Sequence, residues 1–124
     1  MNVVDSSGWI EYMVGGPNAE FFADAIGNVG GLIVPTIVVT EVLRFLLRKT
    51  NEDQAVELAA CMRQALVADL DFGMARAAAR LGIEHKLPLA DSIVFATAQA
   101  HGAILWTQDA DFENIPGVRF IAKK

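Results

Sequence analysis

Short apolar runs rich in β-branched residues alternate along this chain with longer stretches in which apolar residues recur at helical spacing. Val3 and Val4 open as a brief strand. The pattern then predicts a helix over Ser7 to Val14, broken by Gly15-Gly16-Pro17. Asn18 is expected to cap a second helix, with Phe21, Phe22, Ala25 and Ile26 on one face and a stop near Gly27. Leu32 to Val34 reads as a buried strand, and Pro35-Thr36 starts a helix whose apolar positions are Val38, Val42, Phe45 and Leu46. Arg48 and Lys49 suit its C-terminal end, where cations meet the negative pole of the helix dipole. Asn51 to Gln54 has capping-box spacing ahead of Ala55, Leu58, Ala59 and Met62. A weaker strand is predicted at Leu66 to Ala68. Asp71 then caps a helix with Met74, Ala75, Ala78 and Leu81 facing inward, which Gly82 ends or weakens. Pro88 occupies the first turn of a helix running to His101-Gly102. Ala103 to Trp106 and Val118 to Ile121 are the last strands.

Strands alternating with helices imply a parallel sheet covered on both faces, so the expected class is α/β: a three-layer α/β/α sandwich with a mostly parallel central sheet. The strand order is not readable from periodicity. At 124 residues with no repeat or linker-like run, the chain is expected to be one domain, residues 1–124. A chain of this size buries roughly two thirds of the surface its unfolded form exposes.

Composition narrows the class further. The lone Cys61 excludes an internal disulfide framework and points to the reducing cytoplasm. No basic segment followed by an apolar one opens the chain, so no signal peptide is expected. The most apolar stretch, Leu32 to Val39, falls far short of the ~18 residues of a membrane span and contains Pro35. Hydrophobic residues make up 53% before glycine is counted. With glycine the share is about 60%, against a usual ~45–50%. Part of that excess suits a surface that meets a partner. The net charge of −5, by contrast, argues against a nucleic-acid partner, because phosphate binding wants a basic footprint.

In open α/β sheets, ligands bind beyond the carboxyl ends of the strands, near the point where the strand order reverses. Asp5 follows Val3-Val4, Glu41 lies in the second turn of the helix after Leu32 to Val34, Asp91 is in the first turn of the Pro88 helix, and Asp109 and Asp111 follow the Ala103 to Trp106 strand. Carboxylates thus recur at one edge of the predicted sheet, and no lysine or arginine takes their place. Each also has a structural reading. Asp5 suits a helix cap, Asp91 a first-turn dipole partner, and Asp109 and Asp111 ordinary turns. Glu41 is the hardest to explain so. It is the only charge between Leu32 and Leu43, on the stripe of Val38, Val42 and Phe45, with Arg44 and Arg48 expected to project elsewhere. A carboxylate there must be paired, protonated or bound to metal. Crowded oxygen ligands select hard cations, Mg²⁺ or Mn²⁺. One or two such ions are able to support phosphodiester hydrolysis.

Other chemistries find little support. There is no Walker A pattern and no GxGxxG. His85 and His101 read as helix-end residues, and no nucleophilic triad is evident. A haloacid-dehalogenase-type phosphatase would need a second Asp two residues after Asp5, where Ser7 stands; a receiver domain would need a lysine absent from Thr107-Gln108-Asp109.

Four segments taken together resemble PIN-domain ribonucleases, in particular VapC-type toxins of type II toxin–antitoxin systems. They are Val3-Val4-Asp5-Ser6-Ser7, Val39-Thr40-Glu41-Val42, Leu87-Pro88-Leu89-Ala90-Asp91-Ser92, and Thr107-Gln108-Asp109-Ala110-Asp111-Phe112. The resemblance spans essentially the whole chain. It implies a metal-dependent RNA endonuclease in which Asp5, Glu41, Asp91 and Asp109 form the acidic site, with Asp111 the alternative fourth acid or an outer contributor. Thr107 and Ser6 become candidates to orient the carboxylates. The resemblance further implies a homodimer and a cognate antitoxin that covers an apolar groove, to which Trp9, Tyr12, Met13, Phe21, Phe22 and Leu47 are candidate contributors. A non-catalytic PIN-like module that binds RNA or protein is the alternative, and another metal-dependent phosphohydrolase on the same fold is a third.

The five candidate acids also recast the charge. Subtracting them from 15 acidic residues leaves 10, equal to the 10 basic ones, so the excess negative charge is the proposed site. Arg44, Arg48, Lys49, Arg80 and Lys86 are candidate phosphate contacts, but the sequence shows no basic run, so weak RNA binding is expected without metal.

Overall fold

The computed structural model describes residues 1–124. In chain order the elements are β1 (Asn2–Val4), α1 (Ser6–Val14), α2 (Ala19–Gly27), β2 (Leu32–Pro35), α3 (Thr36–Lys49), α4 (Glu52–Arg63), β3 (Leu66–Ala68), α5 (Phe72–His85), α6 (Leu89–Ala100), β4 (Ile104–Thr107) and β5 (Val118–Phe120). A 3-10 turn precedes β2 at Val29–Gly31, and another, Ala110–Phe112, follows β4. The strands form one five-stranded sheet in the order β3-β2-β1-β4-β5, and every neighbouring pair is parallel.

Central strands of such a sheet are covered on both faces and so carry no polar alternation. Val3, Val4, Ile33, Val34 and Leu105 are accordingly all buried, and they join Val38, Val42, Phe22, Phe95 and Phe112 in one continuous core. The edge strand β3 is the exception, with Leu66 and Val67 exposed. The chain leaves β1 toward β2 on one side and later returns to place β4 on the other. The reversal of strand order therefore lies between β1 and β4, whose carboxyl ends stand side by side with Val4 opposite Trp106.

Local chemistry accounts for most element boundaries. Asp5, Asn51 and Asp71 cap α1, α4 and α5 by accepting hydrogen bonds from Gly8, Gln54 and Met74 N–H groups. Asn18 departs from expectation. It stands before α2 but makes no side-chain cap. Its own N–H donates instead to the Glu11 carboxylate at 2.7 Å, so an acid from α1 serves the N-terminus of α2. The Asn18 amide, buried to 2% exposure, is spent elsewhere.

The inward face expected for α5 is also narrower than its sequence pattern. Ala78 is buried, Met74 and Leu81 are half-buried, and Ala75 is exposed. The reason is that α5 packs chiefly on α6 and makes no extensive contact with the sheet. Gly82 does not end the helix, which runs on to His85; a Cβ there would lie 2.9 Å from Ser92 Cβ, so glycine lets α5 approach α6. Among the aromatic and aliphatic residues considered for a partner surface, Trp9 and Phe22 belong to the core, whereas Tyr12 and Leu47 are exposed.

Gly8 sets the closeness of α1 to the sheet, since a Cβ would fall 2.6 Å from Val4 Cγ1 and 2.7 Å from the Phe22 ring. Both neighbours are fully buried and unable to retreat. Gly8→Ala is therefore expected to cost about 1–3 kcal/mol through overpacking, more than its helix-propensity gain returns, and a lower denaturant midpoint is the readout.

Candidate metal centre

Asp5 is the first residue beyond β1 and the cap of α1, and its carboxylate is buried to 3% exposure. One oxygen accepts from Ser7 Oγ at 2.7 Å and Gly8 N at 2.9 Å. The other accepts from Thr107 Oγ1 at 2.5 Å. Three donors stabilise the anion, yet burial outweighs them, and with the Asp109 charge nearby the carboxyl is pushed up to about 6.

Thr107 ends β4 and is completely buried. Its hydroxyl links two acids, donating to Asp5 and accepting from Asp109 N at 2.9 Å. Asp109 in turn accepts from Asp111 N at 2.9 Å and so closes the 3-10 turn that Phe112 anchors in the core. Asp91 enters from the first turn of α6. Carboxylate oxygens of Asp91, Asp109 and Asp111 all lie within 4.8 Å of one another. Burial, followed by the charges of Asp109 and Asp5, raises the Asp91 carboxyl to about 7.

The structure brings Asp91, Asp109 and Asp111 together beside Asp5, so both acids of the last motif stand in the cluster. Glu41 lies outside that close set. It is half-buried on the second turn of α3 and faces a shallow cavity of about 400 Å³ shared with Ile37, Thr40, Arg44, Arg48 and Ala90. Arg44 and Arg48 thus share the cavity with Glu41 instead of projecting away from it. At intervals of three and seven residues along a helix, all three occupy one face.

Orientation of Asp5 falls to Ser7, where Ser6 had been expected alongside Thr107. The hydroxyl two residues past a capping Asp is placed to reach back to it; that spacing is the local signal. A longer network carries no such signal. Ser7 Oγ also accepts from Gln108 N at 3.4 Å, and the Gln108 amide accepts from Asn18 Nδ2 at 2.9 Å. Asn18 Nδ2 donates as well to the Ala122 carbonyl at 3.0 Å. The residues involved stand about a hundred positions apart in sequence, and only the fold joins them. The two histidines have structural contacts: His101 bonds the Thr97 carbonyl at 2.9 Å, and His85 packs edge-on to Phe95.

The donor set fits a hard divalent cation. It is all oxygen, and oxygens around one Mg²⁺ stand roughly 3–4 Å apart given bonds of about 2.1 Å, so the cluster needs only slight closing. Burial first, and then repulsion from Asp109 and Asp5, disfavour the Asp91 anion, and a cation would relieve the repulsion.

The chain matches the PIN domain family model over residues 3–118. No curated protein matches it closely. Among solved structures, a toxin–antitoxin complex from Klebsiella pneumoniae is 24% identical with a TM-score of 0.82, covering 96% of both chains. VapC20 from Mycobacterium tuberculosis, a toxin that cleaves the sarcin–ricin loop, is 18% identical with a TM-score of 0.76, covering 94% of this chain and 95% of its own. FitAcB from Neisseria gonorrhoeae is 18% identical with a TM-score of 0.73, over 98% and 96% of the two chains. At those identities the likeness is one of fold, whereas the family match extends from β1 to the start of β5. This chain belongs to the PIN domain family.

Proposed function

We propose that this protein is a divalent-metal-dependent endoribonuclease, the VapC-type toxin of a toxin–antitoxin pair, acting in the cytoplasm. The observation that carries the reading is the convergence of Asp91, Asp109 and Asp111 beside the buried Asp5 at the reversal of strand order. A pocket of like charge with oxygen donors alone suits a metal-assisted phosphodiester hydrolase better than a general acid–base or nucleophilic enzyme. The similarity to solved toxin–antitoxin proteins supports the choice of biological role.

Asp91, Asp109 and Asp111 would hold Mg²⁺ or Mn²⁺, with Asp5 contributing directly or through water and Glu41 from the neighbouring helix. An ion held there would supply Lewis-acid charge for water activation and phosphate neutralisation. The chain's own residues position that chemistry. Thr107 and Ser7 fix the two oxygens of Asp5, and the buried Phe112 holds the turn that carries Asp109 and Asp111. The exposed Tyr12 and Leu47 favour a cognate antitoxin as a protein partner, and the exposed Phe72 and Ile83 of α5 favour a homodimer. No helix is long and apolar enough to cross a membrane.

Incubation with single-stranded RNA, single-stranded DNA and p-nitrophenyl phosphate tests the reading. Cleavage confined to RNA, present with Mn²⁺ or Mg²⁺ and abolished by excess chelator, is the expected result. Undiminished cleavage in chelator, or hydrolysis of the monoester alone, would overturn it.

A further inference from the structure

All five strands run in parallel, so their carboxyl ends form one edge of the sheet, with the acids beyond β1 and β4 at its middle. Cationic side chains stand on either side of that middle. On the β2 side, α3 starts directly after its strand and brings Arg44 and Arg48 to the cavity they share with Glu41 and with Ala90, the neighbour of Asp91. On the β5 side, the chain leaves the strand beside the site. Ile121 N donates to the Thr107 carbonyl at 3.1 Å, and Asn18 holds Gln108 and the Ala122 carbonyl with the same amide. The exposed Lys123 and Lys124 follow at once.

We propose that single-stranded RNA lies across this edge, with its scissile phosphate at the acids and flanking phosphates held by Arg44 and Arg48 on one side and by Lys123 and Lys124 on the other. This rests on the ribonuclease reading and names how that site grips its substrate. Three strand spacings of about 4.8 Å separate β2 from β5, so the edge between those two strands is roughly 14 Å wide, the scale of a few nucleotides. Asn18 gives the second pair its place, because it ties the backbone ahead of Lys123 to the residue between Thr107 and Asp109. Three of the other six cations are placed differently. Arg76 and Arg80 line a cavity formed by α5 residues alone, and Arg119 lies over the Trp106 ring at 4.4 Å.

Salt dependence tests the track independently of turnover. Each phosphate contact to a single strand contributes about −0.7 to the slope of log affinity against log salt. Binding of a fluorescein-labelled, unstructured RNA dodecamer is measured by anisotropy in the Asp5→Asn background, across a salt series. Arg44→Gln/Arg48→Gln and Lys123→Gln/Lys124→Gln are each expected to flatten the slope by about 1.4 and to weaken binding at low salt by about ten-fold or more. Arg76→Gln/Arg80→Gln is expected to change neither. In the otherwise wild-type chain, the two track variants raise KM and leave kcat near its starting value. Unchanged slopes in the track variants, or an equal loss from the α5 pair, overturn the proposal. Failure of the wild-type chain to cleave RNA would overturn the ribonuclease reading instead, and the binding slopes still decide the track.

Discussion

Replacing Asp5 by Asn is expected to lower RNA cleavage by at least ~10³-fold while leaving the metal-free protein as stable as before or more so. The loss follows because an ion's several kcal/mol of transition-state stabilisation requires the anionic oxygens, and about 4 kcal/mol corresponds to that factor. Stability should survive because the amide can keep both structural roles. Its oxygen still accepts from Gly8 N and Ser7 Oγ, and its NH₂ can donate to the Thr107 hydroxyl; the Thr107 proton then lacks its acceptor, a cost of about 1–3 kcal/mol that the loss of the buried charge offsets. The substitution also removes a buried charge. With its carboxyl raised from 3.8 to about 6, ionised Asp5 destabilises the metal-free fold by on the order of 3 kcal/mol at most above that pH. Cleavage assays with Mn²⁺, together with thermal melts at pH 8 in chelator, check both halves. Full activity, or a variant that melts well below wild type, would remove Asp5 from the site.

The metal-free protein should lose stability as pH rises, in contrast to ordinary acid denaturation. Asp5 and Asp91 titrate near 3.8 when unfolded but near 6 and 7 in the fold. Between those limits the folded state holds more protons than the unfolded one, so stability falls with increasing pH. The contribution is fully present below pH 3.8 and is lost as pH passes through about 6 for Asp5 and about 7 for Asp91. A divalent ion competes with those protons, so its stabilisation should grow over the same window. At a hundred times its Kd it would add about 2.7 kcal/mol. Melting temperatures from pH 5 to 8, in chelator and in Mn²⁺, are expected to diverge steadily. The difference between wild type and Asp5→Asn isolates the Asp5 share from that of other acids. Equal stabilisation by Mn²⁺ at pH 5 and pH 8 would contradict this account.

Residues whose role is local were readable one at a time. Asp71 and Asn51 cap helices because a short polar acceptor followed by an apolar helical pattern has few other uses. Asn18 stands at the expected cap position but makes no cap bond, since a residue able to cap its own helix can spend its amide on distant partners when the fold brings Gln108 and Ala122 to it. The inward face of α5 is narrower than its sequence pattern, because periodicity reports which side is apolar and not how much lies beneath it. For Glu41, the apolar stripe around it was legible, but its neighbours in space were not. Arg44 and Arg48 share its cavity.

The sequence by itself determined the class and the inventory. Alternating strand and helix periods dictate a parallel α/β sheet, because parallel strands require covered crossovers, and acids just past strand ends, such as Asp5 and Asp109, mark the edge where such sheets bind ligands. Its net charge could say only that the acids outnumber the bases. Tertiary structure alone decided the strand order that sets Asp5 beside Thr107, and the packing that draws Asp91 to Asp109 and Asp111. It also decided where the cations stand relative to those acids. The physical reason is the same in each case: charge repulsion, desolvation and hydrogen bonding act through distances of a few ångströms, and residues a hundred positions apart acquire such distances only when the chain has folded.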